Sequence, residues 1–132
     1  MSQTSAKPPA QPPAQPQVQV FGLENDQATR AALRFFKERR VAVSFVDLRR
    51  RSIAPAELRR FVERLGATAC ADTDGRAWRD AGLGYLRMTD DELASRLLVD
   101  VRLLRLPLIR CGSDVSAGRA EATWKAWLTV PP

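Results

Sequence analysis

Residues 18–48 constrain this chain most, because a strand, a helix and a second strand follow one another there with short connections. Val18, Val20 and Phe21 form a short apolar strand. A polar turn over 22–26 leads into a helix expected over 27–39, where Ala28, Ala31, Ala32, Phe35 and Phe36 recur at helical spacing. One face of that helix therefore belongs to a core. The stretch VAVSFVDL, residues 41–48, is rich in β-branched and aromatic side chains and reads as a second strand. Two strands joined through a helix in so short a span lie parallel, as a βαβ unit.

The rest of the chain must complete a fold around that unit. Pro55 opens a helix whose Leu58, Phe61, Val62 and Leu65 share a face, and Gly66 ends it. A short helix over 76–81 holds Trp78. Thr89 followed by Asp90, Asp91 and Glu92 is a capping box, predicting a helix over 90–101 that buries Leu93, Leu97 and Leu98. Pro107 precedes a strand over 108–111, Gly112, Ser113 and Asp114 turn it, and residues 115–117 return as a hairpin. A last helix, 120–128, buries Trp124, Trp127 and Leu128. The order is βαβ, a helical insertion, a β-hairpin and a C-terminal helix, the α/β layout of a thioredoxin-like fold.

Residues 1–17 stand apart. Five prolines among Gln, Ala and Ser, with Lys7 as the single charge, give no apolar face that offsets ordering entropy. A disordered tail is expected there, and one domain over 18–132.

Composition narrows the chemistry. The chain has no histidine, which removes Ser/His/Asp and Cys/His pairs and His-ligated metals. Its two cysteines, Cys70 and Cys111, form no CxxC and suggest neither a disulfide framework nor a metal site. No run approaches the roughly 18 to 20 apolar residues that cross a bilayer, and no secretory signal opens the chain, so a cytoplasmic location without membrane attachment is expected. Basic residues outnumber acidic ones 21 to 15 and are mostly arginine. They are dense from Arg39 to Arg64, but without interleaved aromatics; a solvated face is expected and direct nucleic-acid contact is not.

These residues together resemble the arsenate reductase (ArsC) family and its Spx-type relatives. The resemblance rests on the turn Phe21-Gly22-Leu23-Glu24-Asn25-Asp26 with Arg30 beyond it, on Gly75-Arg76-Ala77-Trp78-Arg79, and on Leu106-Pro107-Leu108-Ile109 with Gly118 and Trp124. It implies a thioredoxin fold, a residual active-site groove of Asn25, Asp26, Arg30, Leu106 and Pro107, and a cis Leu106-Pro107 bond. It also implies that Asp26 stands where the family carries its nucleophilic cysteine and Leu106 where it carries an oxyanion-binding arginine, with Asp74 near a further basic position.

A carboxylate cannot form a disulfide, so the thiol cycle of such a reductase has no starting atom at Asp26. As a helix N-cap, Asp26 would instead satisfy the N–H groups an incoming oxyanion needs, and Glu24 adds negative charge nearby. Arsenate is expected to be repelled. The favoured expectation is therefore a binding or regulatory protein that engages a protein partner or glutathione, with no metal and no other cofactor. Two alternatives stay open. One is a glutathione- or glutaredoxin-linked oxidoreductase using Cys70 or Cys111; the other is an Spx-like transcriptional regulator contacting RNA polymerase. Cys111, two residues after Ile109, is expected on the core face and inert. Cys70, followed by Asp72 and Asp74, is expected to be exposed.

Overall fold

The computed structural model describes residues 17–129; the tail expectation for residues 1–16 lies outside it. Its centre is a four-stranded sheet of β1 (Val18–Gly22), β2 (Val43–Asp47), β3 (Leu108–Cys111) and β4 (Asp114–Ala117), in the order β2-β1-β3-β4. β1 runs parallel to β2 and antiparallel to β3, and β3 and β4 form the hairpin. The helices are α1 (Gln27–Glu38), α2 (Pro55–Leu65), α3 (Arg76–Asp80), α4 (Asp90–Val99) and α5 (Glu121–Leu128).

Strand periodicity sorts the side chains into two layers. Phe45, Val20, Ile109 and Ser116 lie side by side across one face of the sheet. Val20 and Ile109 pack there with Val18 and Cys111 against Ala32, Phe35 and Phe36 of α1 and Trp124 of α5. Phe21, Leu108 and Ala117 lie across the opposite face, which packs on Leu58 and Phe61 of α2 and Leu93 and Leu97 of α4. Phe21 and Phe61 meet edge to face with ring centres 5.8 Å apart, a favoured aromatic geometry. Arg110 of β3 ties α2 to the sheet, donating to Glu57 Oε2 at 3.1 Å and to Gln19 Oε1.

Local signals set the ends of the helices. Pro55 occupies the first turn of α2, and Gly66, at φ 89°, ends it in a region that L side chains rarely adopt. The capping box of α4 is complete: Glu92 N–H donates to Thr89 Oγ1 at 3.1 Å, and Thr89 N–H donates to Glu92 Oε1 at 2.8 Å.

Several boundaries and burials differ from expectation. α4 stops at Val99, and residues Val101–Leu103 form a separate 3₁₀ turn. Asp100 breaks the run: its carboxylate accepts the Arg102 N–H at 3.0 Å, starting the new turn. β2 is shorter than the apolar run 41–48 and ends at Asp47, whose carboxylate accepts from Arg49 N–H. In α5 only Trp124 is buried; Trp127 and Leu128 are half-buried in the last helical turn. Among the described residues, no helix is long and apolar enough to cross a membrane.

Candidate functional site

The turn between β1 and α1 is fixed by Asp26. Its N–H donates to Leu23 O at 3.0 Å, and its extended backbone places the carboxylate over the helix start. Oδ2 accepts both the Thr29 N–H and the Thr29 hydroxyl, each at 2.8 Å. This is the N-cap expected from the sequence, with one addition: Thr29 is fully buried. Sequence periodicity leaves Thr29 unassigned, since a polar residue beside Ala28 reads as helix surface. Its position three residues after a capping Asp was the signal that could have found it.

Leu108 pairs with Phe21, so Pro107 falls beside the end of β1 from which the turn departs. The Leu106-Pro107 bond is cis. Pro107 is buried and its carbonyl accepts the Gly118 N–H at 2.9 Å, while Leu106 packs against the α2 and α4 core. Asn25 is exposed, and Asp26 half-buried. Arg30 faces away from that core, in a groove it shares with Gln27, Arg34 and Arg119. The structure thus brings Arg30 to Arg119, a residue that sequence reading passed over because the two are distant in the chain.

Both thiols are withdrawn from solvent. Cys70 contradicts the expectation of an exposed loop residue: it is fully buried with Ala67 and Ala71 in the α2 and α4 core. The segment folds inward because it pairs with a distant one. Arg105 N–H donates to Cys70 O at 2.8 Å, Asp72 N–H donates to Leu103 O at 2.8 Å, and Ala71 bridges Leu104. Burial first, and the Asp90 charge second, push the Cys70 thiol up to about 11; Asp72 and Asp74, the acids adjacent in sequence, are not the cause. Cys111 is buried as expected on the Ile109 face, and burial followed by the Asp114 charge raises its thiol. Cys111 pairs with Val18, at the other end of β1 from the turn. Four residue steps at about 3.3 Å put roughly 13 Å between Cys111 and the start of that turn.

Since the thiolate is the reactive form, both cysteines should react slowly when folded. Alkylation by iodoacetamide at about pH 8 is expected to run at least about 100-fold slower in native protein than in urea. A fast native thiol would show that one side chain reaches solvent. The sign of the Cys70 shift also has a stability consequence. Below about pH 9 the thiol is protonated whether folded or not; as pH rises toward about 11 only the unfolded state ionises, so its contribution to stability is lost across that window.

No group of three or more Cys, Asp or Glu side chains among the described residues is arranged to hold a metal ion. The chemistry that remains at the turn is a capped helix start, a buried proline and flanking arginines. It offers no sulfur.

A mixed sheet in this strand order, covered by helices on both faces, defines a thioredoxin-like α/β protein. Residues 21–127 match the ArsC family model, and the chain belongs to that family. Among solved structures it is similar to the YffB (PA3664) protein, at 18% identity over 85% of this chain and 99% of that one, with a TM-score of 0.79. It is also similar to the arsenate reductase from Vibrio cholerae, at 19% identity over 83% of this chain and 95% of that one, with a TM-score of 0.72. An ArsC-family-related protein from Bacteroides fragilis, 16% identical over 83% of this chain and 95% of that one, has a TM-score of 0.75. No curated protein matches the chain.

Proposed function

We propose that this chain is a non-catalytic member of its family, a binding or regulatory protein that engages a protein partner or glutathione at the start of α1, where Asn25, Asp26 and Arg30 stand at the turn and Leu106 and Pro107 lie beneath it. The observation that carries the reading is the Asp26 carboxylate, which caps α1 through Thr29 at 2.8 Å, where the family resemblance places a nucleophilic cysteine. The cap occupies the helix start with negative charge, so an arsenate there would meet repulsion in place of free N–H donors. Leu106 adds an apolar side chain before Pro107, where an arginine would bind an oxyanion. The burial of Cys70 and Cys111 weighs against a displaced nucleophile. Arg30 keeps a positive charge at the turn and is the residue expected to meet an anionic group of the ligand.

The test is arsenate reduction with glutathione and glutaredoxin, comparing the natural protein with Asp26→Cys and with Cys70→Ser and Cys111→Ser. No turnover is expected in the natural protein. Turnover that disappears in either serine variant would replace this reading with a thiol oxidoreductase. Calorimetric titration with glutathione then separates the two ligand classes: heat that is lost in Arg30→Ala identifies glutathione, and its absence leaves the protein partner.

A further inference from the structure

The groove that holds Arg30 extends along α1 well beyond the turn. It runs between α1 and the start of α5, in two adjoining parts of about 570 and 310 Å³ that share Ala31, Arg34 and Arg119. Five cations line it, Arg30, Arg34, Arg39, Arg119 and Lys125, against two carboxylates, Glu38 and Glu121.

Two of these cations work against the helix that carries them. Arg30 and Arg34 stand one turn apart, and like charges at that spacing repel. Arg30 lies near the positive end of the α1 dipole, whose first turn carries no acid beyond the Asp26 cap. Arg30, Arg34 and Lys125 make no ion pair among the described residues. Arg119 is paired with Glu121 at 2.8 Å, and Arg39 lies over the Phe35 ring at 3.7 Å from its centre. An external anion in this groove therefore gains attraction to several cations and relieves their mutual repulsion at once.

We infer that the α1/α5 groove is a docking site for an acidic segment of a partner protein. The inference deepens the binding reading, and rests on it, by assigning a surface and a partner chemistry. α1 spans 12 residues, about 18 Å of rise, which suits about three turns of a helix or a short extended peptide. Ala31 and Ala122 line the groove with small side chains that let a backbone come close. Charge pattern favours a peptide over nucleic acid. Glu38 and Glu121 interrupt the positive wall, and a phosphate track meets them as like charges, while a peptide can leave a gap or place a cation there. The lining offers no open aromatic platform for bases, since Phe35 is buried beneath Arg39.

The probe is a fluorescein-labelled, glutamate-rich helical peptide of about 12 residues, compared with an oligothymidylate of equal length, by fluorescence anisotropy at about 50 mM salt. The groove variant is Arg34→Glu with Arg119→Glu. The control, Arg59→Glu with Arg60→Glu, makes the same charge change at exposed positions of α2. Peptide affinity is expected to fall at least about 10-fold in the groove variant and less than about 2-fold in the control. Equal losses in both, no peptide binding by the natural protein, or tighter groove-dependent binding of the oligothymidylate would each overturn the inference. Thermal melts check folding, and Arg34→Gln with Arg119→Gln replaces the groove variant if charge reversal unfolds it. Arsenate turnover by the natural protein sinks the non-catalytic reading whatever the peptide does, so the two failures are distinguishable.

Discussion

Trp124→Ala is expected to lower the unfolding free energy by about 3 to 5 kcal/mol, the range for removing a large aromatic from a packed core. Trp124 is fully buried at the junction of α5, α1 and the sheet. Its ring centre lies 5.4 Å from Phe35 and 5.8 Å from Phe36, and its indole N–H donates to Ser116 Oγ at 3.0 Å. Truncation removes three things together: apolar contact, two aromatic pairs and the partner of a buried hydroxyl. The hydroxyl alone costs about 1 to 3 kcal/mol when left unsatisfied. Trp124→Phe separates the contributions, since it keeps a ring against Phe35 and Phe36 but strands Ser116; a loss of about 1 to 2 kcal/mol is expected there. Urea unfolding followed by far-ultraviolet circular dichroism measures both. An alanine variant losing under about 1 kcal/mol would mean that α5 is not an essential part of this core. Because a domain of this size is stabilised by only about 5 to 15 kcal/mol, the larger loss should bring the protein close to unfolding at physiological temperature.

Trp124 was legible as a core residue because it stands at helical spacing in an apolar segment. The same local reasoning reached the βαβ unit, the capping box at Thr89, the stop at Gly66 and the cap at Asp26, all of which depend on neighbours within a few positions. It failed where a residue's surroundings come from a remote segment. Cys70 has polar neighbours in sequence, yet the pairing of its loop with Leu103, Leu104 and Arg105 buries it. The α1/α5 groove was missed for the same reason: Arg30 and Arg34 meet Arg119 and Lys125 only after α5 packs beside α1 on the sheet. The denser arginines between Arg39 and Arg64 are mostly exposed; Arg64 meets Asp114 at 3.8 Å, a surface pair of little energetic weight.

Gly22→Ala is expected to destabilise the protein by about 1 to 3 kcal/mol although it adds only one methyl group. Gly22 ends β1, and its carbonyl accepts the Leu48 N–H at 2.9 Å, so the strand cannot shift away freely. A Cβ at this position would lie 2.7 Å from Thr29 Cγ2 and 3.1 Å from Thr29 Cβ, with Thr29 Oγ1 closer still. Ordinary carbon contacts need about 3.5 to 4.0 Å. Thr29 cannot simply rotate out of the way, because its hydroxyl and N–H are both bonded to Asp26 Oδ2 at 2.8 Å. The methyl therefore forces a choice between displacing the first turn of α1 and breaking the Asp26 cap, and either outcome disturbs the turn on which the proposed binding site depends. A double-mutant cycle with Thr29→Ala isolates this clash. Thr29→Ala removes Oγ1 and Cγ2, so the double variant should be more stable than the sum of the single losses by about 0.5 kcal/mol or more. Strict additivity in urea unfolding would show that the strand end and the buried threonine do not compete for the same space.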